Sequence, residues 1–478
     1  MSDRSCDGGR AGRVRSISLD PSIAVYPSTP MVSPLCQIGR RLRRITPGCD
    51  YHDRLEPYVT TRMTGTRLAV DGGSPVRTAP FPTWPVWDGT DEEAVVSALR
   101  SGRWGSRPGS GFVDAFTERF ASFHQARRAI AVSNGTVALE VALRALGVGP
   151  FDEVIIPAYT FVATATSVLS LGAIPVFADI RPDTYLMDAD DAARRITART
   201  KAIVPVHIAG QPCDLDALLG VARTNGLALI EDAAQAVGAS WRGRQIGAIG
   251  DIGTLSFQSS KNLNAGEGGA LLTDDDALAD RAWSLANCGR MLAGVRFRHE
   301  IAGSNHRMTE IQGALLLSQL DRLPSQFDLR ERNARILVEG LSTVRGFTPQ
   351  ARDERVTGHA YHLYVSRYDQ SEFGGRPRAW FLSALRAEGI PCSPGYETPL
   401  HRMPAVLLER RKWATLATEC GRRVTCPESP EAEDLPLTDR ASREEGVWFG
   451  QSVLLGDQCA MHHVVEAVAK IQAWAATH

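Results

Sequence analysis

Three short segments carry residue types that do chemistry when brought together. The first holds Lys261, the single amine in a run of small and polar residues, SFQSSKNLNAGEGG (256–269), that follows an apolar stretch. A lysine kept out of water, or beside another cation, gives up its proton more easily and becomes an amine able to form a Schiff base; on an ordinary loop it is merely solvated. Glycines in the run let backbone come close to a bound molecule. The second is EDAAQ (231–235), where Asp232 ends a nearly continuous apolar run and Gln235 follows. A carboxylate there meets a ligand or caps the next helix. The third, SNGT (133–136), stands between an apolar run and a helical pattern. Free N–H groups and the positive end of the dipole make a helix start an anion site, although the same residues also cap helices that bind nothing. No G-x-x-x-x-G-K-[ST] occurs, and GAIG (247–250) lacks the G-x-G-x-x-G order, so P-loop and dinucleotide readings lose support.

These segments need a scaffold that gathers them. Apolar runs at 129–132, 153–156, 174–178, 202–207, 227–231, 252–257 and 269–272 alternate with helical patterns at 136–146, 161–171 and 214–225. That rhythm predicts an α/β fold with a mainly parallel sheet and crossover helices, whose ligands sit at the carboxyl ends of strands. The helical pattern 309–320 is expected to break at Leu323-Pro324. Beyond it, a strand at 362–368, a helix at 377–388, a Pro-rich stretch at 391–404 and a last helix at 461–474 predict a smaller α+β domain. The expected organisation is an extension over 1–62, a large domain over 63–323 and a small one over 324–478. Residues 1–62 are rich in Arg, lack Lys and show no periodicity, the composition of a disordered arm. RRLRR (40–44) within it reads as a solvated arm or as a nucleic-acid or membrane patch, and Met63 opens MTGTRLAVDGG, which looks like a natural start. The acidic, Pro-containing 428–440 predicts a surface loop.

Of 478 residues, Lys+Arg number 53 and Asp+Glu 54, so the net charge of −1 disfavours a nucleic-acid binder that relies on overall positive charge. Nine Cys without C-x-x-C pairs suggest neither a disulfide framework nor a metal site. No apolar run approaches the roughly 20 residues that span a bilayer. The start lacks the order of a signal peptide, so a cytoplasmic protein without membrane or nucleic-acid partners is expected.

An anion site, a strand-end carboxylate and a loop amine on one sheet match what pyridoxal 5'-phosphate needs: donors for its phosphate, an acid beside its ring nitrogen and an amine for its aldehyde. In order, SNGT, PAYTF, EDAAQ, SFQSSKNLNAGEGG and GSNHRMTEIQGA resemble the motifs of the DegT/DnrJ/EryC1/StrS family of fold-type-I pyridoxal-phosphate aminotransferases, from about Leu68 to the C-terminus. FPTWP, SGRWG and a late W-x-x-x-S-V-L-L-G are most similar to the branch of 3-amino-5-hydroxybenzoate synthases and aminocyclitol (scyllo-inosose) aminotransferases.

The resemblance implies roles position by position. Lys261 matches the lysine that bonds the cofactor and moves protons. Asp232 matches the acid that keeps the ring nitrogen protonated, Gln235 a residue near the ring hydroxyl, and Phe161 the aromatic stacked on the ring. Gly135, Thr136 and Ser256 match phosphate contacts, and Asn305 a residue reaching in from a neighbouring subunit, which implies a homodimer with shared active sites. Trp104, His207, Tyr396 and His401 are substrate-facing candidates, each with a packing role as the alternative. Phe449 stands where the benzoate synthases have His, which weighs against their substrate. The implied activity passes an amine from L-glutamine or L-glutamate to a cyclic ketone, a ketocyclitol or nucleotide-linked ketosugar, in secondary-metabolite biosynthesis. The alternatives are a dehydratase like the benzoate synthases and a non-catalytic cofactor-binding regulator that uses the basic arm.

Overall fold

The computed structural model describes residues 67–478 except 107–108, 110, 293–294, 296–297, 423 and 425–432; the expectations placed on 1–62 and on Met63 lie outside the described residues. The strands are β1 (Arg128–Val132), β2 (Glu153–Pro157), β3 (Ile174–Ala178), β4 (Thr200–Ile203), β5 (Ala228–Asp232), a short hairpin β6 (Ser240–Trp241) and β7 (Arg244–Gln245), β8 (Ile252–Ser256) and β9 (Gly269–Thr273). All but the hairpin build a seven-stranded sheet in the order β1-β9-β8-β5-β4-β2-β3. Only β9 runs against its neighbours. The expected runs are therefore strands, displaced by a few residues at their ends.

Both faces of the sheet are covered, which is why its strands read as continuous apolar runs rather than alternating ones. Along β2, Ile155 enters one core while Val154 and Ile156 enter the other. The helices Gly135–Ala145, Ala163–Ser170 and Asp276–Ala286 cover the second face; Phe112–Phe123, Leu215–Thr224 and the first half of Glu310–Leu341 cover the first. A third core forms around the antiparallel sheet β10 (Phe347–Pro349), β12 (Leu363–Tyr368) and β13 (Gly446–Gly450), while β11 (Val356–Gly358) pairs with β6.

The helix Glu310–Leu341 corrects the expected break: it runs for 32 residues straight through Pro324. Proline inside a helix costs about 3 kcal/mol through a lost hydrogen bond and a ring clash. Burial on both sides outweighs that, because Leu316, Leu320 and Leu323 enter the first core and Ala334, Leu337 and Leu341 the third. One continuous helix, a rod of 32 residues, thus belongs to both cores. The surface loop expected over 428–440 is also corrected in its described part. Pro436–Arg440 is helical, and Asp179 after β3 accepts hydrogen bonds from Leu437 N, Thr438 N and Thr438 Oγ1, at 2.7–3.1 Å. A buried carboxylate needing donors draws this segment onto the domain. Among the described residues no helix is long and apolar enough to cross a membrane.

Buried histidines make the fold sensitive to acid. His124 lies in the first core with Nδ1–H donating to the Ile246 carbonyl at 2.8 Å, and burial lowers its pKa to about 4. Burial also pushes His359 and His362 well below the usual range. Each takes up a proton readily only once unfolded, so the stability of the neutral folded form is complete above about pH 6.5 and is lost toward pH 4, by up to about 1.4 kcal/mol per His per unit. The melting temperature should fall between pH 7.5 and 5.5, and His124→Gln should make that fall shallower. A melting temperature independent of pH over this range would contradict the assignment.

Candidate active site

Parallel strands deliver their carboxyl ends to one edge, and the three chemical segments meet there. Asp232 is the last residue of β5, in register with Thr254 of β8, and Ser256 two residues on is the last of β8, while β1 leads through Ser133 into the helix Gly135–Ala145. Lys261 follows in the turn after β8, where the Lys261 N–H donates to the Gln258 carbonyl at 2.8 Å.

Two adjacent carboxylates at the end of β5 point to opposite sides, and their surroundings give them opposite roles. Glu231 accepts N–H groups from Gly247, Ile249 and Gly250 at 2.7–2.9 Å and faces His207 Nε2 at 3.2 Å. Although burial opposes the charge, these partners hold its pKa below the ordinary value. Among the described residues Asp232 has only the Thr164 hydroxyl at 2.9 Å and the Ala234 N–H at 3.2 Å, and burial raises its pKa. It is a carboxylate short of a cation. Facing it electrostatically is Lys261, whose pKa burial lowers to about 8 while the charge of Asp232 pulls it back up. Two groups pushed from their usual values by desolvation, each feeling the other's charge, are the pattern of a reactive centre.

The anion cradle is built alongside. Asn134 caps the helix Gly135–Ala145 by accepting from the Val137 N–H at 2.9 Å, which leaves the N–H groups of Gly135 and Thr136 outside the cap. A Cβ on Gly135 would stand 2.7 Å from Ser256 Cβ, so only glycine lets the helix start lie against that serine. Phe161 precedes the helix Ala163–Ser170 that supplies Thr164, and the residue is 55% exposed. Gln235 accepts the Ala209 N–H at 2.7 Å and donates to Tyr396 OH at 3.2 Å. These residues fit pyridoxal phosphate: an amine of lowered pKa, a carboxylate awaiting a positive N–H, an uncapped helix start beside a hydroxyl and a bare aromatic face.

The substrate candidates separate. Tyr396 joins the cluster, its ring edge-on to Trp448 at 4.8 Å and to Tyr159 at 5.6 Å. Gly395 has φ +76°, and a Cβ there would meet the Trp448 ring at 2.4 Å, so glycine is required for this packing. Buried Arg378 ties the Tyr396 segment to β13 by donating to the carbonyls of Pro394, Ser442 and Gly446. His207 is corrected: it is fully buried, with Nδ1 accepting the Cys213 N–H and Nε2 donating to Glu231, so no ring nitrogen is left for substrate. His401 is corrected as well, being fully buried beside Asp439 at 3.4 Å and Phe177. Trp104 is 56% exposed, and its indole N–H and carbonyl are taken by the Leu99 carbonyl and the Glu310 N–H, which secures the start of the long helix. Asn305 is exposed on a bridge to Asn287, and among the described residues no hydrogen bond joins its side chain to the Lys261 cluster. Phe449 points away from Trp448 into the third core against Tyr364, as alternation along a strand requires. Sequence reasoning missed Thr164, Tyr159 and Trp448; PAYTF and the late tryptophan motif contained the last two, and Thr164 stands one helical turn after Phe161.

A family model described as the DegT/DnrJ/EryC1/StrS aminotransferase family matches residues 86–431. A Streptoalloteichus tenebrarius protein, provisionally named L-glutamine:3-amino-2,3-dideoxy-scyllo-inosose aminotransferase, is 41% identical over 411 residues, 85% of this chain and 98% of its own. The L-glutamine:2-deoxy-scyllo-inosose aminotransferase of the same organism is 39% identical over 418 residues, 84% and 97%. Among solved structures, 3-amino-5-hydroxybenzoic acid synthase superposes with a TM-score of 0.75 at 34% identity, covering 83% of this chain and 99% of that one.

Two measurements test the site. Capture of pyridoxal phosphate by the apoprotein should accelerate as pH rises through about 8, and Asp232→Asn should move that midpoint lower by removing the charge that holds the Lys261 proton; a midpoint near 10 would contradict a desolvated amine. Gly135→Ala should weaken cofactor binding at least tenfold by lifting the helix start from Ser256, and an unchanged dissociation constant would exclude the cradle.

Proposed function

This chain belongs to the DegT/DnrJ/EryC1/StrS aminotransferase family, and from that premise we propose that it uses pyridoxal phosphate to pass the amine of L-glutamine to a ketocyclitol of the scyllo-inosose type. The observation carrying the reading is the desolvated Lys261 amine set against the under-satisfied Asp232 carboxylate, beside the open helix start at Gly135. The cofactor, when bound, supplies an electron-withdrawing ring next to the carbon whose C–H bond is broken. Lys261 Nζ takes the proton from the amine-bearing carbon of the donor and, in the reverse half, returns one to the former ketone carbon of the acceptor. Asp232 keeps a positive N–H against its carboxylate, oriented by Thr164 and the Ala234 N–H. Tyr396, held by Gln235 and walled by Trp448 and Tyr159, lines the acceptor side and excludes water there.

The acceptor reading rests on the names of relatives that this chain matches over nearly their whole length. The likeness to the benzoate synthase favours a second reading, a dehydratase built on the same amine. We further propose a homodimer in which the partner covers the exposed Phe161 ring and Asn305 acts across the interface.

Adding L-glutamine to the cofactor-loaded protein should bleach the visible band of the lysine-bound cofactor, and a ketocyclitol should restore it better than a nucleotide-linked ketosugar. A band that no donor bleaches, with an aromatic product formed from an amino-cyclohexenone, would replace the transaminase reading by the dehydratase. Mixing Lys261→Ala with Asn305→Ala chains should recover activity above either parent, up to about a quarter of wild type if one intact site forms per mixed dimer; no recovery would remove the shared site.

A further inference from the structure

The motif FPTWP and the buried cation Arg330 have no part in the chemistry described so far, yet both lead to Lys261. Arg330, in the second half of the helix Glu310–Leu341, is completely buried. Its Nη2 donates to Gln451 Oε1 at 2.6 Å, while among the described residues Nε and Nη1 have no hydrogen-bond partner and no carboxylate is paired with it. Burial alone lowers its pKa, to about 9. A buried, uncompensated guanidinium is costly, and an apolar side chain of similar volume is commonly the more stable choice at such a place. What the charge does instead is orient an amide. A guanidinium has only donors, so Gln451 must turn its oxygen toward Arg330 and its NH2 away. That NH2 donates to the Ser260 carbonyl at 2.5 Å. The face of Trp84 takes the Arg330 guanidinium at 5.3 Å, and the Trp84 indole N–H donates to the Ser259 carbonyl at 2.9 Å. One turn further along the helix, Asn333 Nδ2 donates to the carbonyls of Leu454 and Gly456 and holds the segment that carries Gln451. The two carbonyls before Lys261 are thus gripped from outside, while Gln258 ties the turn from within by accepting the Ser260 N–H and hydroxyl.

We propose that Trp84, Arg330 and Gln451 form a clamp on the 259–261 turn, with Arg330 the positioning residue that sets where Lys261 Nζ stands. The proposal rests on the reading of Lys261 as the reacting amine. The three arms come from the segment before the helix Gly89–Arg100, the helix shared by two cores and the segment after β13, so parts of the chain far apart in sequence are joined at the reactive turn. The clamp acts on the position of the amine and not on the donor pocket, so its loss lowers kcat rather than raising KM.

The test compares Arg330→Met, Arg330→Lys, Gln451→Met and Trp84→Phe in the full-length protein. In the apoprotein, hydrogen exchange of the peptide covering 256–268 should quicken at least tenfold in Arg330→Met and Gln451→Met. In the loaded protein the visible circular dichroism of the bound cofactor should fall by half or more, and kcat should fall at least tenfold with the donor KM within threefold. Arg330→Lys, which keeps a donor for Gln451, should recover part of each signal, and Trp84→Phe, which keeps the ring face but not the N–H, should lose less than Arg330→Met. The Arg330→Met/Gln451→Met double variant should be no worse than the worse single one, because both act through the Ser260 carbonyl. Wild-type exchange and dichroism in Gln451→Met, or strictly additive losses, would overturn the clamp. Should Arg330→Met not fold, Gln451→Met decides alone. A wild-type protein that no donor bleaches would defeat the reading of Lys261 instead, and apoprotein exchange would still judge the clamp.

Discussion

Taking a carboxylate and an amine out of water at the same place is expensive, and the organisation around Asp232 and Lys261 follows from meeting that cost without neutralising either group. Burial raises the carboxylate and lowers the amine, each restrained by the charge of the other. A third partner would quench the site. Glu231, one residue earlier, shows the quenched state: three N–H groups and a histidine satisfy it completely. Among the described residues Asp232 is left with one hydroxyl and one N–H, a deficit that leaves acceptor capacity for a further donor.

Leaving two groups unsatisfied requires that neither can relax away, and the scaffold is rigid where it matters. Asp232 belongs to a strand in the middle of a sheet covered on both faces. Thr164 comes from a helix that packs on the same sheet, one turn from the aromatic ring at Phe161. The helix start at Gly135 lies against Ser256 because no side chain intervenes. Lys261 alone stands on a turn rather than a regular element, and that turn is held by hydrogen bonds from three directions.

The smaller antiparallel layer supplies the other wall. Tyr396 and Trp448 come from segments stitched together by Arg378, which donates to backbone carbonyls on both and stands 4.0 Å from the Glu397 carboxylate. An aromatic wall with a hydroxyl at its edge suits a hydroxylated ring, offering flat apolar faces and a hydrogen-bonding rim. The rod Glu310–Leu341 makes this layer and the large sheet one mechanical unit, since its two halves are buried in different cores.

Much of this was legible in the residues. The strand rhythm from 128 to 273, the strand-end Asp232, the small-residue loop around Lys261 and the helix start at Gly135 are local patterns, and local patterns survive in sequence because they depend on neighbours along the chain. The passage of the long helix through Pro324 was not legible, since the local rule for proline is overridden by burial in two separate cores. His207 and His401 carried suitable chemistry, yet contacts made only in the fold enclose them: Glu231 and the Cys213 N–H take both ring nitrogens of His207, and His401 is fully buried beside Asp439 and Phe177. Thr164, Trp448 and the clamp of Trp84, Arg330 and Gln451 were hidden for the complementary reason, because their importance lies in partners tens to hundreds of residues away. Sequence by itself determined which residue types could carry chemistry; tertiary structure decided which of them keep hydrogen-bond capacity to spare, because that capacity is finite and only the folded chain shows where it has been spent.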